Sequence, residues 1–319
     1  MDFGIHMLTR GPGADPEAIS AMARTGDELG FAYFTVNDHI AVPGDIASRY
    51  PYTETGEWPG ASVGECLEQL SVLSFIAAVT RRIRLLTSVM VLPHRPPVLA
   101  AKTIATADVL SGGRVTLGVG VGWMREELAA IGAPPFAERG AVSDEYLRVF
   151  KELWTADKPA FEGRYSRFSD IAFLPRPVQK PHPPIWVGGE SPVALRRTVA
   201  LGDCWYPVGR NPRYPLDTAE RYAAAAARLD VLAEAEGRDP ADIGRAYVAS
   251  WPHGGAPATT DDGERQLLTG DLDAVVGDIG RLGELGVGTL VLTFQDADLD
   301  GTLERMHRFA EEILPRFAG

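Results

Sequence analysis

The sequence predicts an α/β fold of the (β/α)8 TIM-barrel class with an inserted irregular segment, and three observations support this. Apolar segments of strand length alternate with helical segments, and eight such pairs can be counted in 319 residues. The strand segments are apolar at successive positions, which is typical of parallel strands buried on both faces. Eight units in about 300 residues are typical of a closed barrel rather than of an open doubly wound sheet.

The first two units follow directly from the N-terminus. FGIHM, at residues 3–7, predicts a buried strand, and Asp15 followed by Pro16 predicts the capped start of a helix. Gly30 ends that helix. FAYFTV then predicts the second strand, which ends at the polar residues Asn37, Asp38 and His39.

A long segment at residues 40–64, rich in Pro, Gly and Tyr, predicts a lid or binding loop, because loops of this length in compact domains are usually functional. The third and fourth units follow. They consist of a helix at residues 66–79, the strand IRLLTSVMVL, a helix at 97–110 and the strand VTLGVG.

The alternation of strands and helices is then interrupted before the last four units. Helices are predicted at residues 123–131 and 142–154, followed by the proline-rich irregular insertion at 155–183. The strands IWVGG, CWYPV, AYVASW and TLVLTF come next, with helices at 192–201, 218–236 and 272–285 and a last helix that ends at Phe317. We expect a single barrel domain over residues 1–319.

Composition restricts the function. A net charge of −12, from 43 acidic and 31 basic residues, argues against nucleic-acid and membrane-surface partners and favours a small-molecule substrate. No apolar run reaches the ~20 residues of a membrane span, and the sequence opens without a basic leader, so we expect a cytoplasmic protein. Cys66 and Cys204 stand far apart, which predicts neither a disulfide nor a metal site.

In a barrel, functional residues lie at the C-terminal ends of the strands. This rule selects a short set of candidates from the predicted strand ends. They are His6, residues 37–39, 88–94, 120–123, 188–191 and 206–210, Trp251, His253, Phe294 and Gln295.

The segment IWVGGESP has the outline of a phosphate-binding loop. Gly188 and Gly189 would let backbone N–H groups approach an anion, and Ser191 and Pro192 predict the start of a helix whose dipole favours negative charge. An ordinary tight turn explains the pattern equally well. Glu190 argues against an anion unless it points away or bonds a sugar hydroxyl.

Asp38 and His39 place a carboxylate beside a side chain that exchanges protons near neutral pH. A structural histidine is the alternative, and it applies equally to His94 and His253. LGVGVGW fails the dinucleotide fingerprint because Trp123 stands where the third glycine belongs. Its small residues, including Gly120 and Gly122, either pack at a crowded barrel mouth or make room for a flat ring.

Four arginines, at positions 196, 197, 210 and 213, gather around the fifth and sixth units of an otherwise acidic chain. They form either a solvated face or a surface that steers an extended acidic ligand. The common hydrolase, zinc-protease and NTPase motifs do not occur.

With these residues in view, the chain resembles the bacterial luciferase-like superfamily of flavin and deazaflavin oxidoreductases, and within it the coenzyme F420-dependent branch. The resemblance extends over roughly residues 1 to 208. The segments that carry it are GFAYFTVNDHIAVP, TSVMVLPHRPPVLAAKTIATADVLSGGRVTLGVGVGWMREEL, FEGRYSRF, PPIWVGGESPVALRR and GDCWYP.

This resemblance implies a barrel, usually dimeric, that holds an isoalloxazine-type ring at its C-terminal mouth. His39 matches a histidine near the reactive ring face, and Asp38 matches its neighbour. Ser88 and Val89 match a bulge behind the ring that often contains a non-prolyl cis peptide. Gly188, Gly189, Glu190 and Ser191 match the loop that takes the cofactor phosphate.

Two positions depart from the family pattern. Trp123 stands where sugar-phosphate-oxidising members carry a catalytic glutamate, so their mechanism does not transfer. Cys204 stands where relatives commonly have glycine.

The resulting hypothesis is an oxidoreductase that moves a hydride between C5 of F420 and a small, partly apolar organic substrate, with His39, oriented by Asp38, carrying the proton. An FMN-dependent monooxygenase that uses reduced flavin and O2 is the alternative. A non-catalytic cofactor-binding barrel is the second alternative. We expect a homodimer.

Overall fold

A computed structural model describes residues 1–11, 14–60, 66–249 and 255–317. Eight parallel strands form the barrel: β1 (Asp2–Met7), β2 (Tyr33–Val36), β3 (Arg84–Thr87), β4 (Val115–Gly120), β5 (Ile185–Gly188), β6 (Cys204–Tyr206), β7 (Gly244–Ala249) and β8 (Thr289–Thr293). Each strand pairs with its sequence neighbour, and β8 returns to β1 with Phe3 opposite Leu290. The predicted (β/α)8 barrel is therefore confirmed.

Helices cover the outside of this barrel. They are α1 (Pro16–Leu29), α2 (Gln69–Val79), α3 (Pro97–Ser111), α4 (Arg125–Ala130), α5 (Arg139–Thr155), α6 (Pro192–Leu201), α7 (Ala219–Ala235), α8 (Leu272–Glu284), α9 (Leu299–Glu312) and α10 (Leu314–Phe317). In the described part of the chain, every helix is too short or too polar to cross a membrane.

Local side-chain chemistry sets the helix ends. The Asp15 carboxylate accepts hydrogen bonds from the first turn of α1, and the Ser191 hydroxyl accepts one from the Ala194 N–H, as predicted. The helix predicted from residue 66 begins at Gln69, because the Glu68 side chain caps it by accepting from the Ser71 N–H. Gly30 ends α1 with φ of 88°.

Two apolar layers make up the core. The larger lies between the helices and the outer face of the barrel. The smaller fills the barrel itself and includes Tyr33, Trp186, Cys204 and Tyr206. Trp186 contacts Tyr33 and Tyr206 with ring centroids 5.0 and 5.4 Å apart, so the barrel is packed below the mouth rather than open.

The third predicted strand is interrupted. Regular β3 ends at Thr87, the Ser88–Val89 peptide is cis, and Met90–Val91 then pairs with the end of β4. The cis peptide is the one that the family resemblance implied. Residues 88 and 89 consequently bulge at the mouth of the barrel.

The segment at residues 155–183 contains a short antiparallel hairpin, Phe161–Glu162 with Arg167–Phe168, that the sequence did not predict. Gln179 fastens the end of this segment to the barrel, because its side chain donates to Asp108 and to the Val115 carbonyl. Residues 40–60 of the predicted lid contain no helix or strand. Residues 61–64, Trp251 and His253 lie outside the described residues.

Candidate active site

A cavity of about 1070 Å³ opens at the C-terminal ends of the strands. This is the end of the barrel at which the strand-end rule placed the functional residues. Phe294 and Gln295 are not among the residues that line this cavity, but ten other candidates are: Asp38, His39, Ser88, Val89, Gly120, Gly122, Gly188, Gly189, Glu190 and Ser191. His6, His94, Trp123 and residues of the lid line it as well.

His39 follows β2 and is held by Glu127 from the first turn of α4. The Nδ1 atom of His39 lies 2.9 Å from Oε2 of Glu127, and the backbone N–H groups of Ile40 and Ala41 donate to Oε1 of the same carboxylate. Burial alone would raise the pKa of Glu127, but the hydrogen bond from His39 and the nearby His94 lower it. Glu127 is thus an ionised acceptor.

An ionised carboxylate can only accept hydrogen bonds, so the proton of this contact lies on Nδ1 of His39. Among the described residues, Nε2 of His39 has no hydrogen-bond partner. The Trp58 ring packs against the imidazole, with centroids 4.5 Å apart. This arrangement fixes the ring plane and leaves Nε2 to exchange a proton with a ligand.

The predicted pairing of His39 with Asp38 is wrong. The Asp38 carboxylate instead accepts hydrogen bonds from both terminal nitrogens of Arg95, each at 2.8 Å, and from the Val91 N–H at 2.9 Å. Burial opposes ionisation of Asp38, but Arg95 and His94 hold its pKa well below the ordinary value. Asp38 and His39 both line the cavity, but each is held by a different distant partner, Arg95 and Glu127.

Ser88 and Val89 form one wall of the cavity. The Ser88 hydroxyl lies 3.0 Å from the Tyr206 hydroxyl, which rises from the packed barrel interior. A Cβ at Gly120 would approach the Val89 side chain to 2.7 Å, and one at Gly188 would approach it to 3.1 Å. These glycines are therefore needed so that Val89 can pack between β4 and β5, which supports the packing interpretation of LGVGVGW.

The loop after β5 leads into α6. Gly189 has φ of 113°, a conformation that favours glycine, and Ser191 caps the helix. The Glu190 side chain points away from the helix end, and its two oxygens accept from the Val208 N–H and the Asn211 amide, each at 2.7 Å. Burial raises the pKa of Glu190 to about 7.

Aromatic side chains from the lid close the cavity beside His39. Trp58 lies 6.0 Å from Trp123, and Tyr50 lies 5.2 Å from Trp123 and 5.5 Å from Tyr52, measured between ring centroids. The lid is fastened to α4, because Ser48 N–H donates to Glu126 and the Arg125 N–H donates to the Ser48 hydroxyl. Trp123 thus belongs to an aromatic wall.

A second group of side chains is cationic and borders the loop after β5. Arg125 and Arg139 stack on Phe136, with guanidinium carbons 4.4 and 4.0 Å from the ring centroid. Burial, followed by the charges of Arg125 and Arg197, lowers the pKa of Arg139. Of the arginines that the sequence singled out, Arg197 and Arg213 line the cavity, whereas the exposed Arg196 and Arg210 are not among its lining residues.

Several residues of the site were not predicted from the sequence. Glu127, Arg95 and Trp58 contact side chains that are distant in the chain, as Glu127 and His39 are 88 positions apart, and Arg139 stacks on Phe136. The sequence did contain a signal for Glu127, because two acidic residues begin α4 shortly after the predicted fourth strand. His6, by contrast, was selected, and burial together with Arg10 lowers its pKa to about 4, so it is neutral.

Known proteins share this architecture. The coenzyme F420-dependent tetrahydromethanopterin reductase from Methanopyrus kandleri superimposes with a TM-score of 0.73 at 18% identity, covering 99% of both chains. An uncharacterised protein of Mycobacterium tuberculosis is 29% identical over 316 residues, which are 98% of this chain and 99% of that protein.

The FMNH2-dependent dimethylsulfone monooxygenase of Pseudomonas putida is 33% identical over 190 residues, 57% of this chain and 52% of that enzyme. Both flavin and deazaflavin enzymes are therefore among the similar proteins. The model of the luciferase-like monooxygenase family matches residues 1–253, which span β1 to β7 and all ten candidate residues. The chain belongs to the luciferase-like monooxygenase family of oxidoreductases.

Proposed function

We propose that this protein is an F420-dependent oxidoreductase that exchanges a hydride with a small organic substrate. The observation that carries the choice of F420 is the pair of cavity-lining arginines Arg125 and Arg139, which stack on Phe136 and, among the described residues, have no ion pair, whereas Arg197 is paired with Asp144. F420 continues beyond its phosphate into an acidic tail, whereas FMN ends at the phosphate. Arginines beyond a phosphate loop favour the longer, more acidic cofactor.

The residues present fit such a cofactor. Gly188, Gly189 and Ser191 together with the N-terminus of α6 would hold the phosphate, because the first N–H groups of a helix lack internal partners and its dipole favours an anion. Glu190 does not oppose this, since its carboxyl group is turned toward Val208 and Asn211. Ser88, Val89, Gly120 and Gly122 would form the wall behind the ring.

When bound, F420 would supply or accept the hydride at its C5 atom. His39 would move the accompanying proton at Nε2, since Nδ1 is occupied by Glu127. Glu127 would keep the imidazole in one tautomer and stabilise its protonated form. The lid aromatic residues would exclude water from this side of the cavity. A positioned acid–base group of this kind typically contributes about 10²–10⁴-fold to the rate.

Asp38 has a different role in this proposal from the one that the sequence suggested. Its carboxylate binds Arg95 and the Val91 N–H, so it would anchor the segment that follows the bulge at Ser88 and Val89. Asp38 would therefore position the wall of the ring site and would not touch the substrate.

An FMN-dependent monooxygenase is the second candidate. The identity of 33% to an FMNH2-dependent enzyme over 190 residues favours it. The cavity also offers every feature that FMN requires, since a phosphate loop and a ring wall serve both cofactors. The two candidates differ at the arginines beyond the phosphate loop.

Binding titrations of F420 and FMN with the wild type and with Arg139→Gln test the choice. We expect F420 to bind more tightly than FMN, and the substitution to weaken F420 by about tenfold while changing FMN by less than about twofold, since one charge-assisted contact is lost. Arg196→Gln is the matched control, because Arg196 is exposed on α6 and is not among the residues lining the cavity. Tight FMN binding without F420 binding would refute the proposal.

A further inference from the structure

The proposed cofactor position leaves one sector of the cavity free. The phosphate loop follows β5 and the ring wall follows β3 and β4, so these elements would border the cofactor. The remaining sector lies at the ends of β1 and β2 under the lid. Leu8, Arg10, His39 and Trp58 line it. A substrate that exchanges a proton with His39 has to occupy this sector.

Arg10 is a cation that lines this sector. In the described part of the chain, Arg10 has no carboxylate within ion-pair distance. The carboxylates that line the cavity are bonded elsewhere: Asp38 to Arg95, Glu127 to His39, Glu126 to the Ser48 N–H and Glu190 to Asn211. None of the described carboxylates therefore neutralises the charge of Arg10.

The lid holds Arg10 in place. Its guanidinium carbon lies 4.8 Å from the centroid of the Trp58 ring. Gly60 packs so closely here that a Cβ would come within 2.7 Å of Nε of Arg10. Arg10 is half-buried, and this burial lowers its pKa from the ordinary value. A desolvated charge of this kind is stabilised when an anion binds beside it.

The same tryptophan contacts the proton carrier. The Trp58 ring packs against His39 at 4.5 Å and lies 6.0 Å from Trp123, which in turn contacts Tyr50. Arg10 and His39 are thus brought to one aromatic surface. Such a surface favours a flat, apolar molecular body, and a guanidinium favours a carboxylate or a similar oxyanion.

We propose that this sector binds the substrate, and that the substrate is an organic anion with a flat apolar body whose anionic group pairs with Arg10 while the body lies against Trp58 and Trp123 beside His39. The assignment rests on the proposed function for the position of the cofactor and in taking the molecule bound here as the partner in hydride exchange. Recognition of the anion is independent of the identity of the cofactor.

Isothermal titration calorimetry with 2-naphthoate and the isosteric neutral compound 2-naphthamide tests this proposal, with and without F420. We expect the wild type to bind the naphthoate about tenfold more tightly than the amide, because only the naphthoate can form a charge-assisted hydrogen bond with Arg10. In Arg10→Met this preference should fall to less than about twofold, whereas Arg10→Lys should keep part of it, since lysine retains the charge without the planar fork.

Arg24→Met is the matched control, because Arg24 is exposed on α1 and its loss changes the net charge equally. It should retain the full preference. Equal binding of the two probes by the wild type, an unchanged preference in Arg10→Met, displacement of the naphthoate by F420, or no saturable binding of either probe would overturn the proposal. An Arg10-dependent preference in a protein that does not bind F420 would refute the proposed function and leave this assignment standing.

Discussion

At the scale of single residues, the site depends on carboxylates with different environments. Glu127 is buried yet ionised, because His39 and two backbone N–H groups donate to it. Glu190 is buried with one backbone and one amide donor, and burial raises its pKa to about 7. The surroundings of each carboxylate therefore let Glu127 orient His39, the proposed proton carrier, and make Glu190 sensitive to pH.

Glu127→Gln tests the orientation of His39. We expect turnover to fall about 10–100-fold, the effect of losing ~1.5–3 kcal/mol from a hydrogen bond to a charged group, with cofactor affinity changed less than about twofold. The ¹⁵N NMR signals of His39 should indicate the Nδ1–H tautomer in the wild type and a mixture of tautomers in the variant. Unchanged turnover with an unchanged tautomer would show that Glu127 only anchors the lid.

Glu190→Gln tests the buried carboxyl group. A folded-state pKa of about 7, above the ordinary 4.5, means that the folded protein holds a proton that the unfolded chain releases between these two pH values. Stability therefore falls as pH rises from about 5 to 8. The difference in unfolding free energy, wild type minus Glu190→Gln, should decline over this range by about 1–3 kcal/mol.

Urea unfolding at several pH values measures this difference. Glu28→Gln, at an exposed position on α1, is the control and should show no such trend. A difference that stays constant between pH 5 and 8 would contradict the assignment of a neutral Glu190 in the folded protein.

At the scale of elements, much of the barrel followed from the sequence because strand periodicity, helix caps and glycine ends are local signals. Asp15, Gly30 and Ser191 act in the structure as their positions predicted. The hairpin at residues 161–168 was not predicted, because each of its strands has only two residues. The contact between Glu127 and His39 was not predicted, because it joins elements that only the closed barrel brings together.

The lid is the element on which the closed form of the site depends. Ser48 joins it to α4 through two hydrogen bonds, one in each direction. We expect Ser48→Ala, which removes the hydroxyl acceptor, to speed proteolytic cleavage within residues 40–60 about threefold or more, since losing a hydrogen bond of about 1 kcal/mol shifts the opening equilibrium by roughly that factor.

Ser74→Ala is the matched control, because the Ser74 hydroxyl bonds the Leu70 carbonyl within α2. It should leave lid cleavage unchanged. Equal cleavage rates in wild type and Ser48→Ala would show that other contacts, such as those of Trp58, hold the lid.

At the scale of the whole molecule, this acidic chain places three arginines that have no ion pair among the described residues at its cavity. The net charge is −12, yet Arg10, Arg125 and Arg139 all line the one mouth of the barrel. Composition predicted a small-molecule partner, and the strand ends predicted a site where the structure has its cavity. The proposed chemistry of that partner could not be predicted from the sequence, because it depends on which cations have no carboxylate beside them among the described residues of the folded chain.

We propose that this barrel exchanges a hydride through F420. The most direct measurement mixes the purified protein with reduced F420 and a panel of flat, anionic enones and imines, and follows the return of the absorbance of oxidised F420. We predict catalytic turnover that His39→Ala lowers by about 10²-fold or more while F420 affinity stays within about twofold of wild type. Turnover with reduced FMN and O2 but none with F420 would contradict the account.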